Sequence, residues 1–185
     1  MLLTPLVIIT IVSVFYMGSQ EYRIYAEADD IYFDILYAIN SDLVNADRDF
    51  YQAMIAATQC YDLRSLYKDL PEDELQGYLD VKLAEYEENK EQALERVNTA
   101  IAIAEENADI YTGTVIEGDT MNFADYAEVF EVGYAEWVNT YDLACDTGDW
   151  DGFNRIFETA RAALAGMSDI VEKWAVEREF QPQSV

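Results

Sequence analysis

Asn45-Ala-Asp-Arg-Asp-Phe-Tyr-Gln-Ala53 lies inside a long run, residues 19–70, that holds neither proline nor glycine. Nothing in that run breaks a helix, so the stretch reads as helical. Residues four apart share a helix face, which sets Asp47 beside Tyr51 and Arg48 beside Gln52. The chain carries 11 basic residues against 37 acidic ones, so an arginine held between two aspartates calls for a reading. One reading has Arg48 making local ion pairs, each worth roughly 0.2–0.5 kcal/mol, that hold helix register. The other gives it a binding role.

Outward from this stretch, the helix extends from Gln20 to about Leu66. Ile24, Ala28, Ile31, Ile35, Ala38, Asp42, Ala46 (or Asn45), Phe50 (or Asp49) and Ala53 recur at alternating three- and four-residue steps. That spacing is the narrow seam of a helical bundle. Upstream, Leu2 to Met17 carries no charge and, with Met1, reaches the short end of the roughly 17–25 residues that cross a bilayer. Pro5 falls where a first helical turn tolerates it. There is no basic segment before the stretch and no Ala-x-Ala site, so an uncleaved anchor over residues 1–18 is expected rather than a signal peptide. The first basic residue is Arg23, and charge therefore gives no orientation. A start upstream of this Met1 would explain both the short span and the missing charges.

Downstream, Pro71 followed by Glu72 and Asp73 is a helix start, with acids at the positive end of the dipole. The second helix is expected to run to about Ile110, with Leu75, Leu79, Leu83, Tyr86, Lys90, Ala93, Val97, Ala100, Ile101 and Ala104 on one face. Glu85, Glu87, Glu88, Glu91 and Glu95 form its solvated stripe. Gly113, Gly118, Asp119 and Thr120 mark a loop over 112–120. Asn122 caps a third helix reaching about Asp146, and the turn Thr147-Gly-Asp149 leads into a fourth over about 150–180. That helix turns Phe153, Ile156, Phe157, Ala160, Leu164, Met167, Ile170, Val171 and Trp174 inward, and Pro182 stops it. No segment alternates with a strand's two-residue period. The expected fold is all-α: an antiparallel up-down-up-down four-helix bundle over residues 19–185, its first helix continuous with the N-terminal transmembrane helix.

Composition narrows the function. A net charge of −26 opposes nucleic acid and anionic membrane surfaces, whose binding rests on Lys and Arg. Small cations or a basic protein would be drawn in, and an anionic ligand would need clustered arginines. With 51% hydrophobic residues the chain is not a disordered acidic tail. The 14 tyrosines suit helix interfaces, with the ring packed and the hydroxyl wet. Histidine is absent altogether, which removes the commonest general base and metal ligand.

The di-metal carboxylate site of helical bundles needs Glu-x-x-His, so no metal and no cofactor are expected. Thr147-Gly-Asp149-Trp-Asp151-Gly152, ending at Glu158, shares part of a calcium-loop spacing, but Thr147 stands where the first aspartate belongs. Aspartates capping a helix N-terminus account for it better. Cys60 and Cys145 fall at the same end of the expected bundle. They could bridge in an oxidising exterior or remain buried thiols. Neither has a histidine partner, and no phosphate loop or Ser-His-Asp set is present, so the chain does not read as an enzyme.

Asp47-Arg-Asp-Phe-Tyr-Gln-Ala53, preceded by Asn45-Ala, resembles the first ectodomain helix of methyl-accepting chemotaxis proteins with four-helix sensor modules. The specific match is residues 45–53; the pattern of anchor, long helix and returning helix extends it across the chain. The resemblance implies an extracytoplasmic homodimer on the cytoplasmic membrane that binds a small molecule, such as a carboxylate, or a periplasmic binding protein. It implies signalling through small shifts of the first and fourth helices. Arginines commonly hold carboxylates in such sites, which makes Arg48, Arg64, Arg155 and Arg161 the candidates here. Arg64 and Arg155 read equally well as rim ion pairs. Asp47, Asp49, Tyr51 and Gln52 share the motif and would order Arg48. Such receptors continue into a second span, a HAMP linker and a cytoplasmic coiled coil, so a chain ending at Val185 is expected to be a fragment or truncated product. The alternative is a membrane-anchored acidic bundle with a structural or protein-interaction role.

Overall fold

The computed structural model describes residues 3–67, 69–108, 118 and 120–179, with side chains placed for those within 11–26 and 34–176. Every regular element among them is helical, so the chain is all-α. It divides into two compact units, residues 1–38 and 39–185.

The first unit holds helix α1, Leu3–Asp30, and a π-helical turn, Ile31–Leu36. Its apolar side chains from Ile11 to Met17, including Val14 and Phe15, are exposed, whereas Ile24 and Ile35 are half-buried and Leu36 is buried. Among the described residues no helix is long and apolar enough to cross a membrane. Much of the expected anchor, residues 1–10, lies outside the described side chains.

The second unit is built from α2 (Tyr37–Leu66, entering it at Ile39), α3 (Glu72–Glu106), α4 (Phe123–Thr147) and α5 (Trp150–Glu179). Pro71 precedes α3 and Glu72, Asp73 and Glu74 fill its first turn, as proline's fixed φ and the helix dipole favour. Asn122 caps α4 through a reciprocal box: its side chain accepts from Asp125 N, and its own N–H donates to the Asp125 carboxylate. Gly148, at φ 75°, ends α4 in the left-handed region that glycine enters without a Cβ penalty. Asp149 then caps α5, accepting from Gly152 N at 3.0 Å. The calcium-like spacing is thus a helix end and a helix start. The expected Ile110 boundary, the loop over 112–120 apart from Gly118 and Thr120, and the Pro182 stop lie outside the described residues.

The seam expected on α2 is corrected at its start. Ile39 and Leu43 are fully buried where Ala38 and Asp42 were expected, and from Ala46 to Ala53 observation and expectation agree. A π turn takes one residue more per turn than an α turn. The Ile31–Leu36 turn therefore delays the apolar stripe by one position, and the next three-residue step restores it. On α3, Leu83 is exposed and Leu75 and Ile101 are half-buried, leaving Leu79, Tyr86, Ala93, Val97, Ala100 and Ala104 as its inner face.

Aromatic rings join the helices. Phe50 of α2 meets Trp137 of α4 at 4.9 Å between centroids and Phe157 of α5 at 4.5 Å. Tyr86 of α3 stacks on Tyr141 of α4 at 4.6 Å. Partners along α4 and α5 run in opposite senses: Phe123 meets Trp174, Trp137 meets Phe157 and Tyr141 meets Phe153. The same holds for α2 and α5, where Asp47 reaches Arg161 and Tyr61 stacks on Trp150. Each fully buried Phe or Trp in such a cluster costs about 3–5 kcal/mol when cut to Ala. Helices α4 and α5 lie close together at Gly133, where an added Cβ would lie 3.1 Å from Ala160 Cβ.

Candidate functional site

The NADRDFYQA stretch, about two and a half turns of α2, sends its charged side chains in two directions. Asp49 points inward at 1% exposure, the sole buried charged group among the described residues. Its Oδ1 accepts from Arg48 Nε at 2.9 Å and from a terminal Arg48 nitrogen at 2.7 Å. Its Oδ2 accepts from Arg96 Nε of α3 at 2.8 Å. Arg96 in turn approaches Asp42 at 4.0 Å. A carboxylate buried without such partners would be expelled or protonated, and here both oxygens are met by guanidinium N–H.

Asp47 points the other way, to α5. Arg161 donates from Nε to Oδ1 at 2.7 Å and from a terminal nitrogen to Oδ2 at 3.1 Å, a bidentate fork. The guanidinium also lies 5.2 Å from the Tyr51 ring centroid, within cation–π range. These contacts, the Asp47 hydrogen bond first, raise the Arg161 pKa and keep it charged. Gln52 is exposed.

The four candidate arginines therefore part company. Arg48 and Arg161 are held by Asp49 and Asp47. Asp47 and Tyr51 meet Arg161, where the motif resemblance had them ordering Arg48. Arg64 lies exposed near the two cysteines, where its charge opposes the burial-driven rise of both thiol pKa values. Arg155 is exposed and makes no ion pair among the described residues. It lines a cleft of ≈330 Å³ with Gly133, Glu136, Gly152, Ile156 and Thr159, between α4 and α5. Arg96 escaped the sequence reading. Its signal was indirect: an aspartate on an inward face demands a cation from a neighbouring helix, and Arg96 precedes the buried Val97.

Cys60 is buried and Cys145 half-buried, and both thiols are free. Burial pushes both up from the ordinary thiol value, with Tyr141 and Arg64 acting against it. The Tyr141 hydroxyl lies beside both sulfurs yet makes no well-formed hydrogen bond, since thiols are weak partners. The Tyr86 hydroxyl is likewise buried and unpartnered, which corrects the expectation that these hydroxyls stay wet. Tyr134 instead donates to the Lys90 carbonyl at 2.8 Å. No group of three or more Cys, Asp or Glu side chains placed to hold a metal occurs among the described residues.

Compared with family models, curated proteins and solved structures, the chain matches none of them.

Proposed function

We propose that the chain is the ligand-sensing, extracytoplasmic part of a bacterial chemotaxis receptor, non-catalytic and free of cofactors. In this reading residues 39–179 form an antiparallel up-down-up-down four-helix bundle, a reading supported by the opposed ring and ion pairs along α2–α5 and α4–α5. Residues 1–18 enter the cytoplasmic membrane, where lipid covers the apolar side chains that Ile11 to Met17 leave exposed. The observation that carries the reading is the Asp47–Arg161 fork. It ties the motif on α2 to α5, the two helices that such a receptor links to the membrane, so a ligand that displaced either helix would be felt by the other.

Among the described residues, Arg155 is the one of the four arginines without an ion pair that also lines a cleft, which suits it to a small carboxylate, and a ligand that also carries an ammonium group would meet Glu136 there. Val44, Tyr51 and Ile55 stay exposed on α2 at spacings of seven and four residues, flanking Arg48. That heptad-like stripe suits a second copy of the chain, giving the homodimer. It equally favours the second reading, an acidic bundle that works by protein interaction, because Arg48 and Arg161 are already paired internally.

A thermal-shift screen of the full chain against amino acids, organic acids and divalent cations separates the two, since a ligand of the native state must raise the midpoint. A saturable carboxylate hit lost in Arg155→Ala supports the sensor. No shift with any compound favours the interaction role.

A further inference from the structure

A second cleft, of ≈350 Å³, opens where α3 ends, α4 begins and the last turns of α5 pass. Its floor is Trp174 and Phe123, both nearly buried, with ring centroids 5.3 Å apart. Ala104 and Ala127, also buried, and Ile101 make the walls. Three carboxylates, Glu105, Glu128 and Glu131, complete the lining from exposed positions. Among the described residues, none of the three forms an ion pair and no lysine or arginine lines the cleft. An aromatic floor offers the negative face of its π-system to a cation. Carboxylates around it add a field that the net charge of −26 reinforces.

We infer that this cleft binds an organic monocation with an apolar body, such as an aryl- or alkylammonium. The volume suits a body of that class at the small end of ligand pockets. The ring system rewards the desolvated ammonium, and the apolar walls reward the hydrocarbon, so neither a bare metal ion nor an anion of equal size fits both. A solvated acidic face would attract any cation equally. The aromatic floor is what makes this cleft selective for one with a hydrocarbon body. The inference stands apart from the receptor reading, because binding here requires neither a membrane nor a signal.

The probe is benzyltrimethylammonium, added to the full chain with ¹⁵N-labelled tryptophan. The three indole N–H signals, assigned by single Trp→Phe variants, report separately. A saturable shift of the Trp174 signal is expected, with Trp137 and Trp150 unmoved. Benzenesulfonate, with the ring and the opposite charge, and tetramethylammonium, with the charge and no ring, are each expected to bind about tenfold or more weaker, as loss of a desolvated cation–π or charge contact implies. The double variant Glu128→Gln/Glu131→Gln, on exposed positions that leave the fold intact, weakens benzyltrimethylammonium by a similar factor, and Glu88→Gln/Glu91→Gln on the outer face of α3 does not. The inference is overturned by no saturable shift at Trp174, by equal binding of benzenesulfonate or tetramethylammonium, or by equal losses in the two double variants.

Discussion

Asp49 of α2 accepts the Arg96 guanidinium of α3 on one carboxylate oxygen, at 2.8 Å, and the Arg48 guanidinium on the other. A motif that looks like a run of surface charge thus places its central acid in the core. The carboxylate is almost wholly buried, while Arg48 and Arg96 remain partly in water. Water therefore carries part of the desolvation burden of the cations, and the anion is the member whose surroundings are fixed.

Asp49→Ala removes the anion and leaves two guanidiniums facing a buried gap. Breaking a buried pair costs about 3–5 kcal/mol, and a value at or just below the bottom of that range applies because both arginines can turn to solvent. Urea unfolding followed by circular dichroism is expected to show a midpoint drop equivalent to about 2–3 kcal/mol with an unchanged slope. An unchanged midpoint would mean that Asp49 is hydrated in solution.

The Asp47–Arg161 fork is different in kind, since both partners are more than a third exposed. Pairs of that exposure contribute about 0.2–1 kcal/mol after solvent screening. Arg161→Ala is therefore expected to leave the unfolding midpoint nearly unchanged. A double-mutant cycle with Asp47→Ala should return a small coupling that shrinks at 1 M salt. A coupling well above this range would place the pair in a far drier setting.

How much of this was legible from the chain depended on period and on caps. The α5 face was read almost residue for residue, because Phe153, Phe157, Ala160, Leu164, Met167, Ile170 and Trp174 keep an unbroken helical period. Pro71, Asn122 and Gly148 mark their helix ends by local chemistry that needs no tertiary partner. The start of α2 was misread because a π turn leaves no mark in composition but shifts the register. The partners of the motif were missed for another reason. Asp47 meets Arg161, far along the chain, and Asp49 meets Arg96, so neither pairing is encoded in the four-residue spacing that a single helix shows.

Alkaline pH should unfold the protein early. Burial raises the phenol pKa values of Tyr86, Tyr134 and Tyr141, in each case the main cause, and also those of both thiols. The unfolded chain loses these protons near the ordinary values of 9.0 for thiols and 10.0 for phenols. The stability they contribute is whole below about pH 9 and is lost as pH rises toward the folded values, because the unfolded state then binds fewer protons. Each group steepens the loss by about 1.4 kcal/mol per pH unit once its unfolded form ionises. Melting temperatures measured from pH 7 to 11 should be flat at first and fall steeply above pH 10. In the Tyr86→Phe variant, which also removes an unpartnered hydroxyl, the fall is shallower.

Gly133 is where helix propensity and packing conflict. Alanine in mid-helix is favoured over glycine by about 1 kcal/mol. The added Cβ, however, would meet Ala160 Cβ at 3.1 Å and Ala160 Cα at 3.3 Å, and backbone cannot turn aside as a side chain can. Forcing α5 outward should cost about 1–3 kcal/mol, so packing wins and Gly133→Ala is destabilising overall. Ala160→Gly on the opposing helix should relieve part of that loss in the double variant. A stabilised single variant would show that the α4–α5 approach has slack.

The two cysteines allow the state of the core to be read chemically. Both thiols are free, both have raised pKa values, and Cys60 is buried. The thiolate is the reacting form, so a raised pKa and poor access both slow attack on a disulfide reagent. In native protein at pH 7.5, reaction with Ellman's reagent should be at least about tenfold slower than for an unfolded thiol, and Cys60 slower than Cys145. Protein unfolded in guanidinium without reductant should give two rapid thiols. Two slow thiols becoming two fast ones would agree with the free pair seen beside Tyr141. No thiols after unfolding would mean that Cys60 and Cys145 are joined in solution. The crosslink would then pin α2 to α4 and add stability on the order of 2–4 kcal/mol, which reduction would remove.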